Sequence, residues 1–419
     1  MKSIKFLLVL LMMAIGFTLK AQELGLDIQL RPRFEFRNGY KTLRGRDADP
    51  ASFISQRSRL GLTYQENRLQ IRLSLQNIST WGDKLQGAAV DKYATGLYEA
   101  NANYQFNSVI GIKVGRQVIS YDNERIFGEV NWTQAARTHD ALSVKINPGR
   151  DQQLDLGFAL NADEEDIKRT RYTTQNYKSM QYAWYHTNVE PLSLSLLFVN
   201  VGYEVELESM LKNNYQQTFG GFLKYDQKKF NVDAAVYSQQ GKRADKDLDA
   251  WYASLNLNYL IAEPWLATLG FEYLSGTGQD ESLKKNKSFL PLFGTNHAFN
   301  GSMDYFYVGN HQNSVGLKDL YGKLTYNQAK YSLQLAPHIF YAAEKIRNAE
   351  NKLLDDYLAT EIDFSASYKI QKNLTLNLGY SQLFGTESME QLKGGDSSLS
   401  QNWAWLSLAF NPKFSILTN

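Results

Sequence analysis

The stretch Leu24–Arg37, LGLDIQLRPRFEFR, decides the fold. Its even positions read Leu24, Leu26, Ile28, Leu30, Pro32, Phe34 and Phe36; its odd positions read Gly25, Asp27, Gln29, Arg31, Arg33, Glu35 and Arg37. Successive side chains of a β-strand point to opposite faces, so this period of two gives one apolar face and one charged face, and no helical period explains it. Leu69, Ile71, Leu73 and Leu75 repeat the pattern against Arg68, Gln70, Arg72 and Ser74. It recurs at 154–160, 251–259, 265–273, 331–341, 362–368 and 374–380. Weaker versions lie near 54–64, 97–106, 109–118, 140–146, 178–188, 192–201, 217–225, 230–239, 317–326 and 402–410. The sum is about eighteen strands of roughly ten residues, the length a tilted strand needs to cross a bilayer.

The connections sort by length. Short links fall at Glu66-Asn67, Asn107, Pro148-Gly149, Val189 to Pro191, Asp226 to Lys229, Ile261 to Pro264, Asn327 to Lys330 and Ile370 to Asn373. Long polar links lie between them, at 38–52, 77–96, 119–138, 161–176, 202–216, 240–248, 276–316, 342–356 and 383–401. Tight turns alternating with long loops mark an outer-membrane barrel, with the turns periplasmic and the loops extracellular; a soluble sandwich has no reason to sort its loops this way. Both termini fall on the short-turn side, so the strand count is even, and closing the sheet leaves no unpaired edge in hydrocarbon. The expected fold is all-β, a transmembrane antiparallel up-and-down barrel of about 18 strands.

Residues 1–21 read as a cleaved signal peptide: Lys2 and Lys5 precede the apolar run Phe6–Phe17, and Leu19-Lys20-Ala21 offers a small residue before Gln22. That run is too short to span a bilayer as a helix. Residues 22–419 are then assigned to one barrel domain. The absence of Cys excludes disulfides, a lipobox and thiolate metal sites. Mean hydropathy is negative, yet 26 Tyr and 22 Phe are present. A barrel reconciles the two, because only its outer face is apolar and its rims carry aromatic girdles. Net charge is +2, too small to suggest a nucleic-acid partner.

Magnitudes decide which face meets lipid. An Arg at the bilayer midplane costs roughly 2–4 kcal/mol, so turning the first three strands inside out would cost on the order of 10 kcal/mol. Arg31, Arg33, Arg37, Arg57, Arg59 and Arg72 therefore face the lumen, gathered on one wall by adjacent pairing. Lumen acids include Asp27, Glu35, Glu99, Asp155, Asp233, Glu272, Glu361 and Asp363, with Lys113, Lys145 and Lys323 among them. A lumen of about eighteen strands is too wide for side chains to fill and should hold water. Arginine keeps its charge and binds carboxylates bidentately, which suits an anionic solute; mutual pairing of these charges, simply solvating the wall, is the competing account. Arg116 shares the lipid parity of Ile110, Ile112 and Val114, so either a bulge at Gly115 turns it inward or it lies above the membrane band.

Catalysis finds little support. The five His are scattered (His139, His186, His297, His311 and His338), with no metal-ligand pair at helical spacing and no Gly-x-Ser-x-Gly elbow. The chain is expected not to be an enzyme and to carry no metal or cofactor. The acidic run Asp163–Asp166 reads as a solvated loop tip rather than a calcium site. Lys284, Lys285 and Lys287 lie in the longest loop, within reach of lipopolysaccharide phosphates.

Several segments resemble the alginate-export family of outer-membrane barrels, in its Bacteroidetes form. They are Leu30–Glu35; Ser55–Leu62; Val114–Gln117 with Asn131–Gln134 and Arg137–Ala141; Phe293–Gly301; and Met303–Phe306. The resemblance spans essentially the whole mature chain. It implies an 18-stranded monomer that passes an anionic polysaccharide through an Arg-lined constriction, with Arg31, Arg33, Arg57, Arg59 and Arg116 as candidates. Arg72, Glu35, Glu99, Lys113, Glu361 and Asp363 join them along the solute path, and Trp132, Gln134, Arg137, Asp140, His297 and Asp304 mark the loop motifs. The expected partners are outer-membrane lipid and lipopolysaccharide, an anionic saccharide, and, for export, periplasmic secretion proteins. The alternatives are a general or nutrient porin without polysaccharide specificity, and a non-conducting surface receptor or adhesin.

Overall fold

A computed structural model describes residues 22–83, 95–174, 176–207, 210–279 and 285–418; the signal-peptide expectation for residues 1–21 lies outside them. The strands are β1 (Gln22–Asn38), β2 (Ala51–Glu66), β3 (Leu69–Thr80), β4 (Gly96–Gln105), β5 (Ile110–Gln117), β6 (His139–Gly149), β7 (Gln152–Leu160), β8 (Ser179–Val189), β9 (Leu192–Leu207) and β10 (Met210–Asp226). They continue as β11 (Phe230–Arg243), β12 (Lys246–Ala262), β13 (Trp265–Leu274), β14 (Lys285–Asn286), β15 (Leu317–Asn327), β16 (Tyr331–Tyr341), β17 (Tyr357–Gln371), β18 (Leu374–Gly385), β19 (Gln401–Phe410) and β20 (Lys413–Thr418). The two-residue β14 pairs with β12 inside a loop. Each remaining strand pairs antiparallel with its sequence neighbour, and β1 closes the sheet on both β19 and β20. Those last two form one stave, broken at Pro412, which has no N–H to give the ladder. The result is a closed barrel of eighteen staves, once β14 is set aside and β19 and β20 are counted together.

Closure satisfies the backbone where lipid cannot. The alternation then sets the two faces. Outward stand Leu30, Phe34, Leu60, Leu62, Leu73 and Leu75, all exposed, while their inward neighbours Arg33, Glu35, Arg57 and Ser74 are buried. Aromatic residues gather where strands meet the turns: Trp265 with Tyr326, and Tyr331 with Tyr368, both at 4.9 Å. Trp251 against Tyr273, at 4.3 Å, belongs to the opposite end of the wall. These are the interfacial girdles of a transmembrane barrel.

Two expected loops are strand instead. Residues 202–207 and 210–216 lengthen β9 and β10, and residues 240–248 lengthen β11 and β12, as paired antiparallel strands. Their polar composition suggested loops, but outside the hydrocarbon a hairpin needs no apolar face, only paired backbone. A further element escaped the period-two reading: helix α1 (Glu387–Lys393), begun by Thr386, whose hydroxyl accepts from the Met389 N–H, and ended by Gly394 at φ 68°.

Candidate functional site: the lumen and its inserted loops

Two of the long connections fold into the barrel. Residues 118–138, between β5 and β6, lie against the inner wall of β1 and β2. Arg31 donates to the carbonyls of Asn131, at 2.8 Å, and Thr133, at 2.8 Å, and to Gln134 Oε1. Arg33 donates to the Trp132 carbonyl at 2.8 Å, with its guanidinium 4.2 Å from the Trp132 ring centre. Arg57, fully buried, donates to Asn131 Oδ1 and Gln29 Oε1, both at 2.7 Å, and at longer range to the Thr133 and Gln134 carbonyls. Arg31 and Arg57 face each other across the strand pair, where two like charges would normally repel. The carbonyl-rich turn 131–134 supplies the negative ends of dipoles that both need. Gln134 completes the joint by donating to Ser55 Oγ.

The other charges expected in the lumen divide into paired and open groups. Glu35 accepts from Arg33, Arg37 and the Trp403 indole and is 1 % exposed. Arg72 pairs with Asp27 and, at 3.4 Å, with Glu99. Arg59 lies 3.5 Å over the Tyr98 ring and donates to Gln76. It borders, with Arg72, an open recess of about 330 Å³. Lys113 borders another, beside Lys145 and Asp155.

The second inserted connection, described over 275–279 and 285–316, runs between β13 and β15. An acidic stretch of wall holds it. Glu272, 2 % exposed, accepts from Tyr252 at 2.7 Å, Asn300 at 2.8 Å and Arg125 at 3.0 Å. Arg125, fully buried, comes from the first loop and turns the rest of its guanidinium toward Phe299, 4.4 Å from the ring centre. Asp319 accepts from Asn300 and pairs with His338 at 3.0 Å. Glu361 accepts the Met303 N–H and Asp363 the Ser302 N–H, while Ser381 also donates to Asp363. A buried ion pair costs desolvation unless hydrogen bonds offset it. Loop amides supply part of that offset, while Arg125 Nε and Nη1 and Glu361 Oε2 are buried without a hydrogen-bond partner among the described residues. Glu361 and Asp363, expected along the solute path, serve as loop anchors, and Asp363 also lines an open recess.

The loops also lock each other. Trp132 stacks on His297, with centroids 4.4 Å apart and planes 10° apart. His297 Nδ1 sits 2.6 Å from Asp304 Oδ1, and Tyr40 donates to the other Asp304 oxygen. Arg137 donates to the Gly294 carbonyl. Every loop-motif residue except Asp140 therefore lies at the contact between the two loops or with β1 and β2. Among the described residues no group of His, Asp or Glu could hold a metal ion; Asp163 instead takes the Thr173 and Thr174 hydroxyls.

Arg116 and Asp140 require a correction. Arg116 pairs across the sheet with Asp140 and binds it through two bonds, at 2.9 and 2.8 Å. The pair follows the outward parity of Val114 and Leu142, while its odd-numbered neighbours Gln117, His139 and Ala141 are buried inward. Gly115, at φ 110°, bends the strand without shifting its register. Both charges sit at the extracellular end of their strands, one pair before the sheet ends at Gln117 and His139. Arg116 is thus a rim residue on the outer face, and Asp140 belongs to strand β6 rather than to the loop.

What sequence reasoning missed is the inserted loops and Arg125, Trp403 and Trp405. A signal was present. Phe289, Leu292, Phe293, Phe299, Met303, Tyr305, Phe306 and Tyr307 all fall in one supposedly extracellular loop, and apolar density of that kind demands burial.

Comparison with known proteins agrees with this architecture. The family described as Alginate export matches residues 22–398. Among solved structures, OccAB4 of Acinetobacter baumannii superposes with a TM-score of 0.66 at 12% identity, over 94% of this chain and 99% of that one. OpdK of Pseudomonas aeruginosa, solved with vanillate, gives 0.62 at 12% identity over 93% and 99%. A BenF-like porin from Pseudomonas fluorescens Pf-5 gives 0.62 at 12% identity over 95% and 100%. No curated protein matches.

Proposed function

The chain belongs to the alginate-export family of integral outer-membrane barrels, a non-enzymatic channel, and on that premise we propose that it passes anionic oligo- or polysaccharides along an arginine-rich lumen. The observation that carries the reading is the charge balance at the level of the first inserted loop. There β1 and β2 set five guanidiniums (Arg31, Arg33, Arg37, Arg57 and Arg59) against Glu35 on the same wall and Glu129 in the loop, with Asp27 of β1 taken up by Arg72. Arg31 and Arg57 are solvated by carbonyl dipoles, which satisfy hydrogen bonds without cancelling charge. A low-dielectric wall focuses the remaining positive potential into the lumen and lowers the barrier for carboxylates.

Most of these arginines act through their field, because loop carbonyls occupy their donors. Arg59 and Arg72 border open space and can touch a solute. The test is the reversal potential of reconstituted channels in a KCl gradient. Wild type is expected to prefer anions, and Arg59→Gln to reduce that preference with little change in conductance. A cation-preferring wild type would sink the proposal.

A second reading, a diffusion porin for small solutes, draws support from the two inserted loops, which leave recesses of a few hundred Å³. It is also favoured by the vanillate, a small carboxylate, in one structure of similar fold. Channel block by an oligouronate separates the two. The remaining partners follow from the setting: a monomer in contact with outer-membrane lipid and lipopolysaccharide, with periplasmic secretion proteins engaged if transport is outward.

A further inference from the structure

The inserted loops cover the wall of β1 and β2 and reach β15 to β17 at Asp319, Glu361 and Asp363, but between those anchors and the turns at 327–330 and 370–373 the wall of β15 to β19 borders open space. There the inward side chains turn short: Ser332 and Ala336 on β16, Ser365 and Ser367 on β17, and Ser381 on β18, with Gly379 of β18 paired to Ser365. Such residues cannot fill a lumen, and a recess of about 380 Å³ remains beside them. Its other side is aromatic. Trp132, stacked on His297, meets Trp405 edge-on at 4.8 Å. Trp405 stands directly across the strand pair from Gly379, and a Cβ at that glycine would collide with the indole. The indole therefore lies against the bare backbone of β18 and borders the recess. Lys323 closes one margin; its amine is 4.9 Å from the Tyr321 ring centre, and no carboxylate lies within ion-pair distance of it among the described residues.

We propose that this recess is a binding site for a sugar ring in transit. A pyranose presents an apolar C–H face and an equatorial belt of hydroxyls. The indole of Trp405 fits the first, and the serine hydroxyls with the Gln334 and Asn377 amides fit the second. Lys323 adds a cation for the carboxylate of a uronate, while the one carboxylate lining the recess, Asp363, is held by Ser302 and Ser381. Several exchangeable hydroxyl contacts around one aromatic platform hold a ring long enough to enter and weakly enough to leave, as conduction requires. The site rests on the saccharide reading above but not on its anion preference, so the two can fail separately.

The experiment is single-channel block by cellotetraose, which is neutral, and by tetragalacturonate, using full-length protein in planar bilayers. Both are expected to block wild type. Trp405→Ala should lower both association constants at least tenfold, Trp405→Phe should retain most of the binding, and Lys323→Gln should weaken only tetragalacturonate. Heat-modifiable gel mobility verifies that each variant is a folded barrel. Block that survives Trp405→Ala in a folded barrel overturns the site. So does a wild type blocked by vanillate and by neither tetramer. A cation-preferring wild type that cellotetraose still blocks in a Trp405-dependent way would overturn the arginine reading and leave this site standing.

Discussion

Arg57 shows what a single lumen residue does and how little of that its position alone reveals. Parity along β2 places it inside, because one greasy face and one charged face leave no other arrangement in lipid. Its loop partners come from 74 to 77 residues away, and nothing in the local pattern of β2 points to them. The same contrast holds for Arg116: its parity is legible, but its depth, at the rim beside Asp140, depends on where β5 ends. For Arg57 a consequence follows. Replacing it with Met removes the donors to Asn131, Thr133 and Gln134 and strands buried acceptors, each worth roughly 1–3 kcal/mol. The barrel itself keeps its ladder. Arg57→Met is therefore expected to raise single-channel conductance and to expose the 118–138 segment to protease, with the heat-modifiable mobility unchanged. Unaltered conductance together with unaltered protection would show that Arg57 does not hold the loop.

Elements differ in how openly the sequence announces them. A stave facing lipid must alternate, so every stave of the wall was readable from Leu, Ile and Phe two residues apart. The hairpin tips of β9 to β12 rise beyond the hydrocarbon and are freed from that rule, which is why they read as loops. Helix α1 is only seven residues long, too short for a helical period to stand out. It carries a testable burden. Burial pushes the Lys393 amine down to about 7, with the ammonium 5.3 Å from the Phe306 ring centre. Below pH 7 the group is charged in the folded and the unfolded chain, and the folded state bears the whole desolvation cost. Between about 7 and its ordinary value of 10.5 the unfolded chain holds more protons, so packing of α1 strengthens as pH rises through that window. Amide exchange in 387–393 should slow from pH 7 to pH 9, once corrected for its intrinsic base catalysis, and Lys393→Met should abolish the trend. A corrected rate that is flat with pH in the wild type would refute this account.

At the scale of the whole molecule the chain makes a rigid frame and fills it unevenly. Eighteen staves exclude a solid side-chain core, so the two apolar-rich loops become the core, clamped by arginines on β1 and β2 and by carboxylates from β13 to β17. Solute is left the part of β15 to β19 between those carboxylates and the turns at 327–330 and 370–373, where side chains such as Ser332, Ser365 and Ser367 are short. Selection and holding are thereby separated in space, a field from one stretch of wall and an aromatic platform on another. Salt distinguishes them. The Debye length falls from about 10 Å at 0.1 M to about 3 Å at 1 M, so a preference exerted at a distance must fade over that range, whereas stacking of a neutral sugar need not. The anion preference of wild type, read as the permeability ratio from reversal potentials, is expected to fall steeply between 0.1 and 1 M KCl, while the cellotetraose association constant changes by less than about twofold, since it contains no screened term. A permeability ratio that holds constant to 1 M would mean that anions are chosen by direct contact with Arg59 and Arg72, and the field of the covered arginines would have no part in selectivity.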